Sequence, residues 1–251
     1  MQIQERGNGM RKIFAIVCCV ALVSACDKHD PILPGARTAI FDTSDVKVLN
    51  KTISDVPSGT VVVDNSACPY TQDSKNIIWD GERRIFSGFA TDNSVATTQR
   101  PVCSGKYIYA GLTTGEVLKI NPKTRQIAWI ADVYRASNLT GGASMVDIVA
   151  PIVPVENAVY AGGLGDAFCR LNATSGDKKW CVEIGVATPF IIAGNYAFVV
   201  ATDNNLYAIS TSDGAIYWRS GVKSQVAPTY QDGKITVGKM VFDVTDGKNI
   251  K

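Results

Sequence analysis

Histidine is almost missing: His29 is the only one in 251 residues. A single imidazole excludes Ser-His-Asp triads and metal sites built from several histidines. Leucine is scarce too, nine residues against 27 valines, and with 22 Gly and 10 Pro this is a composition of strands and turns rather than helices. Nor is there an excess of one charge. The formal +2 arises within the first 25 residues, from Arg6, Arg11 and Lys12 against Glu5; beyond them 22 basic residues balance 22 acidic ones. Without a basic patch nothing points to nucleic acid. No apolar run reaches the roughly 20 residues that cross a bilayer as a helix. Hydrophobic residues, by contrast, make up 46% of the chain, which supplies a substantial core and argues against wholesale disorder.

The N-terminus has its own design. Met10-Arg11-Lys12 opens a short positive region, and Ile13 to Val23 is an apolar run of eleven residues, the length of a signal-peptide core. Small residues then precede a cysteine in Val23-Ser24-Ala25-Cys26, which resembles the bacterial lipobox. That resemblance implies a lipoprotein signal peptide over residues 1–25 and lipid attachment at Cys26. The mature chain of 226 residues is then anchored to a membrane rather than spanning it, and folds outside the cytoplasm. The nine residues before Met10 add nothing to this design. Residues 26–59 read as the lipidated Cys and a tether with Pro31, Pro34 and Pro57. Two short alternating segments, Thr38 to Phe41 and Val46 to Leu49, lead into edge strands.

From residue 60 to 251 the chain repeats itself. Tyr107-Ile108-Tyr109-Ala110-Gly111 is followed by Val117-Leu118-Lys119-Ile120-Asn121 and then Trp129. Ala158-Val159-Tyr160-Ala161-Gly162, Phe168-Cys169-Arg170-Leu171-Asn172 and Trp180 form a second copy. Ala197-Phe198-Val199-Val200-Ala201, Leu206-Tyr207-Ala208-Ile209-Ser210 and Trp218 form a third. The central apolar residues of the two strands are 12 apart in every copy, and the Trp follows nine later. Pro101, Pro151 and Pro189 open the copies, as suits a strand start where no N–H is needed. Polar turns such as Thr113-Thr114-Gly115 and Asp203-Asn204-Asn205 join the two strands. Tighter turns, Ala173-Thr174-Ser175-Gly176 and Thr211-Ser212-Asp213-Gly214, lead into the strand bearing Trp. In the first copy Arg125 replaces this glycine, so that turn is expected to take another geometry. The longer first interval matches a polar insertion, Ser137 to Ser144, a loop for a partner-facing rim. Each copy reads as a four-stranded antiparallel sheet, and such sheets bury enough surface only by stacking. The fold class is all-β, a β-propeller.

The pattern around Leu171-Asn172-Ala173-Thr174-Ser175-Gly176-Asp177-Lys178-Lys179-Trp180 resembles the pyrroloquinoline-quinone repeat, which implies that Trp129, Trp180 and Trp218 dock between adjacent blades. The other common propeller repeat, with a Gly-His pair and a Trp-Asp ending, does not occur in these copies. Together with the lipobox, the repeats are similar to the BamB family of the outer-membrane β-barrel assembly machinery. Pro31-Ile32-Leu33-Pro34-Gly35-Ala36-Arg37 and Ile77-Ile78-Trp79 fit that family as well. The resemblance implies a non-catalytic, lipid-anchored scaffold facing the periplasm. Its partners would be the large barrel-assembly protein and nascent outer-membrane proteins, and its seat the outer membrane, with the inner membrane as the alternative because Asp27 follows the lipid site. The family is eight-bladed. A fourth copy here starts at Pro228 and reaches Val241-Phe242-Asp243-Val244-Thr245-Asp246-Gly247, and the position nine beyond Phe242 is Lys251. Counting a further blade around Thr60-Val61-Val62-Val63 and Trp79, four to five blades are expected, as a shortened propeller, a small ring or an arc.

The same repeats occur in quinone-dependent dehydrogenases, whose active members resemble one another in a vicinal Cys pair and carboxylate and amide ligands for Ca²⁺. The only such pair here, Cys18-Cys19, lies in the signal, and the Trp residues sit at blade-packing positions, so neither enzymatic activity nor pyrroloquinoline quinone is expected. The rival readings are a quinoprotein-like dehydrogenase and an envelope propeller with an unrelated partner. Cys68, Cys103, Cys169 and Cys181 form an even set, which outside the cytoplasm suggests disulfides. Cys169 and Cys181 lie on strands joined by one turn and are either bridged or two buried thiols, depending on register. The Asp-rich turns at 203–205 and 243–246 lack the regular spacing of a Ca²⁺ loop and serve as turn formers.

Overall fold

The computed structural model describes residues 46–57, 60–61, 68–89, 91, 101–134 and 145–251. The signal peptide, Cys26, the Thr38–Phe41 segment and the Ser137–Ser144 insertion lie outside the described residues. Among the described residues there is no helix, and the strands form five antiparallel sheets. A short strand, β1 (Thr60–Val61), precedes them. The first sheet holds β2 (Thr71–Gln72), β3 (Ile77–Asp80) and β4 (Arg83–Ser87). The second holds β5 (Val102–Ser104), β6 (Tyr107–Gly111), β7 (Glu116–Asn121) and β8 (Gln126–Asp132). The third holds β9 (Val153–Val155), β10 (Ala158–Gly163), β11 (Ala167–Asn172) and β12 (Lys178–Val182). The fourth holds β13 (Ile191–Ala193), β14 (Tyr196–Val200), β15 (Asn205–Ser210) and β16 (Ile216–Gly221). The fifth holds β17 (Thr229–Gln231), β18 (Lys234–Val237) and β19 (Met240–Asp243). These are the blades of a β-propeller.

Register explains the spacing of 12. Ile108 pairs with Ile120, Val159 with Leu171 and Ala197 with Ile209. One residue beyond each pair the closing strand skips a position, so that Trp129 faces Lys119, Trp180 faces Arg170 and Trp218 faces Ala208. This bulge adds twist and aims the indole out of its own sheet.

Both faces of a middle blade are buried, which is why its strands read as almost unbroken apolar runs. In the fourth sheet Tyr196, Phe198, Val200, Leu206 and Ala208 turn toward the fifth, packing on Ile235, Val237 and Phe242. The alternate residues Ala197, Val199, Tyr207 and Ile209 turn toward Tyr160 and Phe168 of the third. The same period of two divides the second sheet, with Ile108, Ala110, Leu118 and Ile120 facing the first and Tyr109 and Val117 facing the third. Sheets therefore stack in chain order.

Thr60–Val61 does not belong with Trp79. β1 pairs with the edge strand β13, so the blade expected around both segments splits: Trp79 lies on β3, and β1 extends the fourth sheet. Upstream, Val48 bridges Ile216 in parallel, and the Leu49 and Lys51 amides donate to the carbonyls of Ile216 and Tyr217, both at 2.9 Å. Ile53 is buried and donates to Thr245 O at 2.8 Å. Residues 46–57, inside the stretch read as a tether, are thus packed against the fourth and fifth blades.

Candidate functional site

The recurring chemistry sits at the blade joints. In the third, fourth and fifth sheets the turn that follows the third strand closes with an amide-to-carbonyl bond over four residues, Gly176 N to Asn172 O (2.9 Å), Gly214 N to Ser210 O (3.0 Å) and Gly247 N to Asp243 O (2.9 Å). Short polar side chains at the turn's first position support it: Asn172 Oδ1 accepts from Thr174 N and Asp243 Oδ1 from Thr245 N, both at 2.8 Å. The second turn residue uses its N–H within the blade, Ala173 to Asn157 O and Thr211 to Asn195 O at 2.9 Å, Val244 to Gly233 O at 3.0 Å. Its carbonyl is left for the neighbour. Trp129 Nε1 donates to Ala173 O at 3.2 Å, Trp180 Nε1 to Thr211 O at 3.1 Å, and Trp218 Nε1 to Val244 O at 3.0 Å. Each indole also lies against the glycine of the same turn; a Cβ on Gly176 or Gly214 would come within 2.8 Å of the ring of Trp129 or Trp180. One donor and one flat face thus register each blade on the next.

An aromatic partner holds each indole from within its own blade. Tyr109, Tyr160 and Phe198 stand 5.9, 6.1 and 5.9 Å from Trp129, Trp180 and Trp218, ring centre to ring centre. Sequence reading missed them, although each precedes its Trp by 20 residues in the three copies. It missed Lys119 as well. That ammonium is buried, donates to Ala173 O beside the Trp129 indole, and lies 4.3 Å from the centre of the Tyr107 ring. Burial, then Lys106, pushes its pKa down.

The first joint is built differently. Arg125 holds φ 59° and donates to Asn121 O at 2.8 Å, so the expected change of turn geometry does not occur: arginine takes the left-handed conformation that glycine takes elsewhere. Trp79 is not a docking residue of this type. It stands on the middle strand β3, and its Nε1 donates at 3.1 Å to Asp73 Oδ2 in its own hairpin. The first two blades are instead joined covalently, Cys68 before β2 to Cys103 on β5. Cys169 and Cys181 face each other directly across β11 and β12 and form the second disulfide.

Among the described residues no three His, Cys, Asp or Glu side chains gather as a metal site. Asp203 serves its turn, with Oδ1 accepting from Asn205 N at 3.1 Å and Oδ2 from the Tyr207 hydroxyl at 2.6 Å. Apolar side chains do reach the surface. Ile127 and Ile130 on the edge strand β8 are 47% and 44% exposed, and Met145 and Val226 are exposed on connections between blades.

A family model described as outer membrane protein assembly factor BamB matches residues 43–220. Outer membrane protein assembly factor BamB of Salmonella typhimurium is 24% identical over 131 residues, 51% of this chain and 33% of that protein. The Escherichia coli K12 protein of the same name is 23% identical over the same shares. The chain spans about a third of the length of the curated relatives it matches. Among solved structures, BamB from Moraxella catarrhalis superposes with a TM-score of 0.49 at 16% identity, over 78% of this chain and 66% of that one. Quinohemoprotein alcohol dehydrogenase from Comamonas testosteroni gives 0.45 at 12% identity, over 60% and 34%.

Proposed function

Since the chain belongs to the family of outer membrane protein assembly factor BamB, we propose that it is a non-catalytic scaffold that assists the insertion of β-barrel proteins into the outer membrane. The observation that carries this reading is the family match over residues 43–220, which takes in the three docking indoles Trp129, Trp180 and Trp218 and the turns that receive the first two. Successive blades fixed to one another by a hydrogen bond and a ring contact hold their connecting loops at set positions, and such loops are where partners bind. The exposed isoleucines of β8 and the exposed Met145 and Val226 offer apolar ground for a partner. In this reading the partner is the large barrel-assembly protein, the clients are nascent outer-membrane proteins, and Cys26 carries the lipid that keeps the scaffold at the periplasmic face of the outer membrane.

No redox cofactor is used in this role. The indoles that could stack on a quinone are engaged, three with the turns of the next blade and Trp79 with Asp73. Tagged protein, expressed in its own host and mildly crosslinked, should co-purify with the barrel-assembly protein, while Cys26→Ser leaves the chain soluble in the periplasm and the yield falls. Repeated absence of that partner from the crosslinked material would defeat the proposal. A change in visible absorption on adding pyrroloquinoline quinone would replace it with the enzyme reading.

A further inference from the structure

Among the described residues the last strand of each sheet, β4, β8, β12, β16 or β19, stands at an edge. An edge strand offers unpaired N–H and C=O groups to any other strand, and charged side chains or a covering segment are the usual guards. Four of these five edges are guarded. β4 opens with the exposed Arg83 and Arg84, and β12 with the exposed Lys178 and Lys179. β16 is covered by residues 48–51, through the Val48 bridge and the Leu49 and Lys51 amides. β19 is covered by the segment that follows it, where Ile250 N donates to Val241 O at 2.8 Å.

β8 has neither guard. It is seven residues long, and all of them except Trp129 and Ala131 are exposed. Its only charge is Asp132, at the far end. Val133 N donates to Gly115 O at 2.7 Å, so counting back by twos the main-chain groups of Ala131 and Trp129 face β7, and those of Ile130 and Asp132 face outward. The extra residue of the bulge, Ala128, resets the count and turns the main chain of Ile127 outward as well. The two isoleucines also share a face, since Ile127 lies opposite Ile120 and Ile130 opposite Leu118, both on the side of the first sheet. Two exposed apolar side chains and two outward main-chain positions therefore coincide.

We propose that β8 pairs antiparallel with β8 of a second copy of this chain, about a two-fold axis passing between Ala128 and Trp129. In that register Ile127 stands opposite Ile130 of the second copy, and both have main-chain groups to exchange. A slip of one residue would set outward groups against inward ones. Arg125, in the turn before the strand, comes level with Asp132 of the second copy, and the symmetry makes that contact twice. The edge is thus complementary to itself in charge and in apolar pattern, as a two-fold interface requires. Opposite charges facing each other across strands attract and like charges repel. A contact made by one strand edge is small, so the association is weak and depends on concentration. Of the apolar ground at the surface, this gives β8 to a second copy and leaves Met145 and Val226 to the assembly partner.

Sedimentation equilibrium of the full chain in density-matched detergent tests the pairing. The chain should dimerise reversibly by about 10⁻⁴ M, a weak affinity in keeping with so small a contact, and less readily at high salt. Ile130→Lys, which gives β8 the guard that β12 carries, should leave monomer alone. Arg125→Asp and Asp132→Arg should each weaken association about tenfold by setting like charges opposite one another. An equimolar mixture of those two variants should dimerise again, because each supplies the charge that the other needs. All three side chains are exposed, and circular dichroism checks that the variants fold. A chain that stays monomeric, dimers that survive Ile130→Lys, or a mixture that fails to recover would each overturn the proposal. So would a monomer whose β8, bearing a photocrosslinker in place of Ile127, captures a different envelope protein. Failure here leaves the co-purification experiment untouched, and failure there leaves this pairing untouched.

Discussion

Arg125 holds φ 59°, and Gly176, Gly214 and Gly247 hold 80°, 75° and 71° at the same place in the same turn. The left-handed backbone is therefore not what makes glycine necessary, since arginine adopts it at the exposed position 125. Beside Gly176, Gly214 and Gly247 an indole does lie there, and no side chain leaves it room. Gly214→Ala should cost about 2–4 kcal/mol, part left-handed strain and part overpacking against Trp180. In a Trp180→Ala background the same change should cost only the strain, about 1–2 kcal/mol. Arg125→Gly should shift stability by less than about 1 kcal/mol, because the strain relieved is offset by a freer unfolded chain. Urea unfolding of the double-mutant cycle measures the coupling directly; additive effects would show that ring and glycine do not depend on each other.

At the scale of blades, the joints differ in what holds them. The three joints with Trp also bury large apolar clusters, whereas the first joint rests on a smaller set around Ile78, Ile85, Ile108 and Leu118. The disulfide between Cys68 and Cys103 compensates. It closes 35 residues, worth about 4 kcal/mol in the chain-entropy account, against about 3 for the 12 between Cys169 and Cys181. Replacing Cys68 and Cys103 by Ser should therefore loosen the first blade alone: amide exchange should rise in β2–β4 and stay unchanged in β13–β19. A uniform rise would mean that the blades unfold as one unit. This division also explains what was readable in the sequence. Hairpin register fixes the separation of paired residues, so Ile108–Ile120 and its two counterparts announce the blades in the sequence itself. Partnerships between distant segments left no such spacing. Nothing in Val46–Leu49 or Thr60–Val61 names β16 or β13 as its neighbour, and Cys68 and Cys103 lie in different blades.

At the scale of the whole protein, stacking sheet on sheet buries several phenols and the Lys119 ammonium along with the aliphatic core, and this sets the response to alkali. Burial, reinforced by the hydrogen bond to Asp203, pushes the Tyr207 phenol well above its ordinary 10.0. Tyr109 is raised by burial and then by Tyr107, and Tyr196 by burial and then by Tyr217. The folded state keeps these protons where the unfolded chain has released them. Their contribution is thus complete below about pH 10 and is lost as pH climbs through the folded-state values. Lys119 acts in the opposite sense over a lower window. Burial lowers its pKa from 10.5, so the folded state sheds that proton first and stability gains as pH rises toward the ordinary lysine value. Stability measured by urea midpoint should therefore hold or rise slightly up to about pH 10 and then fall steeply. The share of phenolate absorbance that belongs to Tyr109, Tyr196 and Tyr207 should appear together with unfolding rather than ahead of it. Tyr207→Phe should make the fall shallower, at the expense of the Asp203 bond near neutrality. Lys119→Met should remove the gain below pH 10 while leaving the fall in place. Phenolate absorbance that develops fully in the folded protein before the midpoint drops would show that the stacked faces do not shield these rings, and would undo the account of both windows.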